Sequence, residues 1–245
     1  MFFNQGYICL ANLEKRIICF ALIEIMTYKK LKSINLCFVF VLSYLFFGVE
    51  SFTPVGRMGH SSILAEDMLY FFGGNNSDFM NEVFYLDVSK SFNSKTPPWT
   101  DLTQGSGIPF KSSWATVSLK EQTIYLFGGI MYSIITDEDA FVSHVYSFNL
   151  NSLKWDIPNI EGTQPERRRI LNNVMDNTGK MYIFGGLTCP CLSAPKTELF
   201  NDMVILDTVR SLWSISKPVN APSKRYGYTA TLLSNDVIDT LVVAN

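Results

Sequence analysis

The chain has 245 residues, a net charge of −2 and two histidines, His60 and His144. That charge gives no reason to expect a nucleic-acid or anionic-membrane surface, and so few histidines leave little room for metal or acid–base chemistry. Apolar residues make up 47% and aromatics 14%, ample material for the core of one large β domain or two smaller ones.

Residues 1–25 carry short apolar runs split by Glu14-Lys15-Arg16 and do not fit a targeting signal, so Met26 is the expected start of translation. Beyond it, Lys29, Lys30 and Lys32 precede Leu36–Val49, 14 residues without a charge, and Val49 and Ser51 are small enough for a cleavage site. This is the order of a signal peptide over 26–51, and the run is short for a membrane span, which needs about 20 residues. The expected localisation is therefore the secretory pathway, with the protein secreted or membrane-anchored at the cell surface. An uncleaved signal anchor and a buried helical hairpin over 7–49 are the alternatives. Of five cysteines, Cys9, Cys19 and Cys37 lie in this region, and only Cys189 and Cys191 remain after cleavage. Such a chain has no disulfide scaffold and must hold together by burial.

From residue 52 onward the sequence repeats itself. Leu69-Tyr70-Phe71-Phe72-Gly73-Gly74 recurs as Ile124-Tyr125-Leu126-Phe127-Gly128-Gly129 and as Met181-Tyr182-Ile183-Phe184-Gly185-Gly186, with the first glycines 55 and 57 residues apart. Short runs rich in β-formers read as buried strands. The glycine pair points to a backbone with φ > 0, or to a neighbour so close that a Cβ would clash. A period of this length is the mark of a repeat architecture. The units are 52–107, 108–163, 164–220 and a partial one, 221–245. In the first, strands are predicted over 57–64, 68–72, 82–87 and 99–102. In the second they fall at 114–119, 123–127 and 144–149, with Trp155 marking the fourth. In the third they fall at 171–175, 180–184 and 202–207, with Trp213 marking the fourth. Trp99, Trp155 and Trp213 keep the register of the glycines, at spacings of 56 and 58. Residues 222–233 and 237–243 then read as the first two strands of the fourth unit, where no double glycine arrives.

These units resemble the kelch repeat. Gly59-His60, Gly73-Gly74, Tyr85 and Trp99 fit the family pattern in the first unit, Gly128-Gly129, Tyr146 and Trp155 in the second, and Gly185-Gly186 and Trp213 in the third, where Ile205 replaces the Tyr. The resemblance covers roughly residues 54–245 and implies an all-β, kelch-type β-propeller built of four-stranded antiparallel blades. One blade has two apolar faces and buries them only by stacking on neighbours. About three and a half blades do not close a ring of this type, so the chain is expected to be part of a longer protein, or a fragment without independent function.

The resemblance also brings to mind galactose oxidase, a copper enzyme on the same type of propeller. Its site needs two tyrosines, two histidines and a Tyr–Cys crosslink, and the two histidines here sit in different blades and registers, so no oxidase chemistry, metal or cofactor is expected. Cys189-Pro190-Cys191 reads as two loop thiols, bridged if the compartment is oxidising. A bridge over one residue is strained, and no second pair completes a zinc site. Asn75-Asn76-Ser77 is an N-glycosylation acceptor in a loop expected to be exposed. Arg167-Arg168-Arg169 reads as a solvated loop with one Arg pairing to a strand end, because no second basic cluster supports it. Asp137-Glu138-Asp139 lacks the spacing and glycine of a calcium loop. His60 has no nucleophile or carboxylate partner in view and is assigned to packing.

The implied function is a non-catalytic interaction module with a protein partner, no nucleic acid, and a membrane only through the N-terminal segment or an anchor beyond Asn245. Loops carry binding variation, so the expected contact surface is made by Asn75–Met80, Ile130–Val142 and Leu187–Phe200. The alternative is a secreted glycan-binding or glycan-active propeller, which would need exposed aromatics such as Tyr132, with paired carboxylates for hydrolysis.

Overall fold

The computed structural model describes residues 52–136, 143–188, 197–217, 219–233 and the strand at 238–242. All lie in the compact unit that begins at Ser51. The N-terminal segment, Asp137–Asp139, Cys189 and Cys191 fall outside the described residues.

The first repeat gives β1 (Ser61–Ala65), β2 (Met68–Phe72), a small hairpin of β3 (Asn75–Asn76) and β4 (Asp78–Phe79), then β5 (Val83–Asp87) and β6 (Trp99–Asp101). A single helical turn, α1 (Thr103–Ser106), leads into the second repeat. That repeat holds β7 (Phe110–Ser113), β8 (Thr116–Lys120), β9 (Thr123–Phe127), β10 (Ile130–Ser133), β11 (Val145–Asn149) and β12 (Lys154–Asp156). The third holds β13 (Arg168–Arg169), β14 (Asn173–Met175), β15 (Lys180–Phe184), β16 (Leu187–Thr188), β17 (Met203–Asp207) and β18 (Leu212–Ser216). The fourth begins with β19 (Tyr228–Leu232) and β20 (Ile238–Val242).

Three antiparallel four-stranded sheets result, β1-β2-β5-β6, β8-β9-β11-β12 and β14-β15-β17-β18, followed by the pair β19-β20. The first strands neighbour one another in series, β1 beside β8, β8 beside β14 and β14 beside β19. The sheets therefore fan from neighbouring inner strands, with the tryptophan strands outermost, as blades do. A nearly all-β kelch-type propeller segment is what the repeat implied.

Period-2 alternation sorts each strand's side chains between two blade faces. In β9, Ile124 and Leu126 enter the core against the first blade, while Phe127 and Tyr125 enter the core against the third. The tryptophans of the second and third blades pack back onto the phenylalanine before the previous blade's glycines: Trp155 meets Phe72 edge-on at 5.6 Å, and Trp213 meets Phe127 at 5.7 Å. The register corrects one sequence match. Tyr85 lies opposite Tyr70, but Tyr146 lies opposite Leu126, so Tyr146 faces the other side of its blade. The residue equivalent to Tyr85 is Ser147, opposite Tyr125.

The third strands end in a residue whose side chain caps the next turn. Asp87 accepts from the Ser89 amide, Asn149 from those of Asn151 and Ser152, and Asp207 from those of Val209 and Arg210. These are the Asx turns that suit short acidic and amide side chains.

The glycine pairs form the blade joints. The first glycine's N–H donates to its own third-strand segment, at the carbonyls of Glu82, His144 and Asp202. The second glycine's N–H crosses to the next blade, where the carbonyls of Ser112, Arg168 and Arg225 accept at 2.7, 3.0 and 2.8 Å. Both glycines of every pair have positive φ. A Cβ on Gly185 would stand 2.6 Å from the Arg225 oxygen, and on Gly73 or Gly128 it would stand nearer still to the Ser112 or Arg168 oxygen that accepts from the second glycine. A second series runs beside it. The amide of Trp114 donates to Gly59, that of Ile170 to Trp114 and that of Gly227 to Ile170, at 2.6, 3.2 and 2.9 Å. All four residues have positive φ, although two carry side chains.

This kink explains why the first strands start later than the sequence suggests. The chain bends at Gly59, Trp114 and Ile170 before entering β1, β8 and β14. Gly128→Ala is expected to lower stability by about 3 kcal/mol or more, from positive-φ strain and overlap with the Arg168 carbonyl. Gly105→Ala, with open space around it, should change stability by less than about 1 kcal/mol, and upward. Urea unfolding of the two variants measures both.

Candidate interaction face

The residues that follow each glycine pair turn back along the segment that precedes that blade's first strand. Asn75 and Met58 exchange both backbone hydrogen bonds, at 2.8 and 3.0 Å. In the second blade the same pairing extends to four residues as β7 and β10, and in the third it is β13 and β16. The expected loops Asn75–Met80, Ile130–Val142 and Leu187–Phe200 therefore begin as short strands. Two- to four-residue strands bury too little to impose alternation, so the sequence carried no sign of them.

The structure joins the first two of these segments. The Phe79 and Tyr132 rings meet at 4.8 Å, the Lys111 ammonium donates to Asp78 at 3.0 Å, and the Ser112 amide donates to Met80. The bond from Lys111 holds the Asp78 carboxyl below its usual range. Beyond the ring pair Ile134 and Ile135 are exposed, Ile135 at 89%. Asn75, expected in an exposed loop, is instead half-buried in a strand, and the exposed residues of the hairpin are Asn76, Ser77 and Asp78. His60, assigned to packing, is exposed and meets the Phe71 ring at 5.6 Å; partial burial and the Arg57 charge lower its pKa.

Beneath the face, arginine–carboxylate pairs clamp two of the joints. Arg57 donates to the Gly73 carbonyl at 3.1 Å and pairs with Glu82, with its guanidinium 4.7 Å from the Phe84 ring centre. Arg168 occupies the equivalent place in the third blade. It donates to Gly185 at 3.2 Å, binds Asp202 through both terminal nitrogens at 2.7 and 3.2 Å, and lies 4.0 Å over the Phe200 ring. Its backbone carbonyl meanwhile receives Gly129 from the second blade.

The reading of Arg167-Arg168-Arg169 as a solvated loop with one Arg pairing to a strand end is corrected in its solvation, because Arg168 is 1% exposed, while Arg168 itself makes the pairing, beside the ends of β15 and β17. Nor is the triplet isolated. Arg57 and Lys224-Arg225 stand at the same repeat positions, and Arg-x-Gly at 57–59 and 225–227 was the available signal. Arg167 donates to the Gly129 carbonyl at 3.3 Å.

In the second blade the corresponding residues are Ser112 and His144. His144 is half-buried, and desolvation, aided by the Arg167 charge, lowers its pKa to about 4. Among the described residues no cluster of three or more His, Cys, Asp or Glu side chains forms, and no helix is long and apolar enough to cross a membrane. Arg168→Ala should cost about 3–5 kcal/mol, because it leaves the Asp202 carboxylate without its partner at a part-buried site. Arg168→Lys should recover less than half of that, since an ammonium cannot bind both carboxylate oxygens in parallel. Chemical denaturation of both variants checks the order.

Comparison with known proteins agrees with this architecture. A family model, the KLHDC2/KLHL20/DRC7 Kelch-repeats domain, matches residues 45–240. Kelch domain-containing protein 3 of Rattus norvegicus is 27% identical over 195 residues, covering 73% of this chain and 46% of the relative. Host cell factor of Drosophila melanogaster is 24% identical over 204 residues, covering 73% of this chain and 13% of the relative. The chain thus spans about half the length, or less, of these relatives. Among solved structures, that of YjhT superposes with a TM-score of 0.53 at 17% identity, over 73% of this chain and 56% of that one. With three registered blades, glycine joints at each blade boundary among the described residues and a family match over most of its length, the chain belongs to the kelch-repeat family of β-propellers.

Proposed function

We propose that this chain is a non-catalytic protein-binding module, secreted or displayed at the cell surface, and that it binds through the face built by the segments after the double glycines. The observation that carries this reading is the linkage of the first two of those segments across blades. The Phe79 and Tyr132 rings from successive blades meet at a tilt, Lys111 and Asp78 pair, and the exposed Ile134 and Ile135 stand beside them. An aromatic pair with exposed aliphatic neighbours and a flanking ion pair has the composition of an interface centre with a polar rim. Rigid short strands beneath it lower the ordering cost of binding. Membership in the kelch-repeat family supports a protein as the partner.

The test replaces Tyr132→Ala, Ile134→Ser and Ile135→Asp together in the full chain and compares partner capture in producing cells with the wild type. The expected outcome is a melting temperature lowered by no more than the loss of one half-buried ring contact, about 1 kcal/mol, and a loss of at least about tenfold in recovered partners, the scale set by hot-spot residues. Full retention of every partner would reject this face.

The secretory part of the proposal rests on the basic and apolar order of residues 26–51 and on the acceptor triplet Asn75-Asn76-Ser77, whose last two residues are exposed. Expressed from Met26 in cells with a glycosylating secretory route, the protein should carry one glycan at Asn75. Glycosidase treatment should shift its mobility, and Ser77→Ala should abolish the shift. An unmodified protein retained in the cytosol would sink this part and leave the binding proposal standing.

A further inference from the structure

The repeats supply their own control for any residue that breaks their pattern. In the first and third blades the segment entering the first strand carries an arginine, and the residue whose carbonyl holds the first glycine carries a carboxylate. Arg57 pairs with Glu82, and Arg168 with Asp202. In the second blade both members differ at once. Ser112 replaces the arginine and His144 the acid, while the carbonyl of His144 still accepts the Gly128 amide at 3.0 Å.

The surroundings of His144 favour an uncharged ring. Its Nδ1 is buried and has no hydrogen-bond partner. A backbone hydrogen bond ties the ring to Pro165, on the segment leading into the third blade. The charged groups acting on the ring, among the described residues, are Arg167 and Arg168 of that same segment. Asp202 balances Arg168, and the intervening Glu166 is exposed. A second ring proton would therefore create a buried donor without an acceptor, beside two guanidinium groups.

We propose that His144 makes the joint between the second and third blades acid-labile, while the joint below the first blade, clamped by Arg57 and Glu82, stays closed. Loosening would begin where the ring touches the Pro165–Arg169 segment. It would then reach the two bonds that fix Gly128 and Gly129, and so the strand β10 that carries Tyr132. The inference concerns the joint itself and holds whether or not that strand binds a protein.

The direction follows from linkage. The folded-state pKa lies below the model-peptide value of 6.5. The stability that the neutral ring contributes is whole above the unfolded pKa and is lost as pH falls from there toward the folded one.

The experiment measures thermal unfolding of the full chain at about pH 7 and about pH 5, with His144→Gln and His144→Glu beside the wild type. Amide exchange is followed at both pH values, corrected for intrinsic rates. On acidification the wild type should lose about 3 °C more than His144→Gln, within the range expected for a chain of this size. Its exchange should quicken at Gly128, Gly129 and Ile170 but not at Gly73 and Gly74. His144→Glu restores the acid of the other two blades and should remove the selective loosening. Equal acid sensitivity in the wild type and His144→Gln would overturn the proposal, and so would equal loosening of both joints. If the glutamine variant does not fold, the comparison of the two joints in the wild type and in His144→Glu decides.

Discussion

One hydrogen bond recurs at every blade boundary, and the architecture depends on it. The amide of the second glycine donates to a carbonyl of the next blade, at Ser112, Arg168 and Arg225 in turn. The bond forms only if the backbone turns through positive φ twice in succession and no Cβ intervenes, which is why two glycines stand there and not one. The cost of that choice is high, because glycine loses more backbone freedom on folding than any other residue. What offsets it is alignment. Once the joint is made, the aromatic preceding the glycines lies where the next blade's tryptophan must pack, and the blade's apolar face is closed by its neighbour.

The kinked residues show the same geometry at higher cost. Gly59 and Gly227 take positive φ freely, but Trp114 and β-branched Ile170 hold it as well, at a strain of roughly 1–3 kcal/mol each. They are kept there by the blade-to-blade bonds on either side. At Gly59 the missing Cβ has a second use, since one would come within 2.8 Å of the Trp114 ring. A small residue in one blade thus makes room for a large one in the next, as an interior of crystalline density requires.

The second strands were legible to the residue. β2, β9 and β15 are short apolar runs closed off by glycines, and both ends of the signal are local. The first strands were legible only in part, because the bends at Trp114 and Ile170 are imposed by a neighbouring blade and leave no mark in composition. The burial of Arg168 was missed for a related reason. Its carboxylate partner lies 34 residues along the chain, and a charge run looks solvated when its partner cannot be seen. Tyr146 was matched to the family tyrosine one residue out of register, and a shift of one residue in a strand reverses the direction of the side chain.

Comparing the blades with one another separates scaffold from specialisation without reference to any other protein. Positions that repeat in all three joints, the glycine pair and the carbonyls that receive it, are demanded by the geometry. Positions that repeat in two and change in the third are free of that demand, because the third joint forms without them. The arginine–carboxylate clamp is of this kind. Ser112 and His144 make the same backbone bonds as their counterparts and differ only in charge and in what their side chains touch. The backbone geometry of a joint therefore does not require the clamp, although a joint built with it depends on both partners. The clamp's absence from one joint is therefore best read as a difference in how firmly successive blades are held, and that difference lies directly beneath the segments that form the candidate binding face.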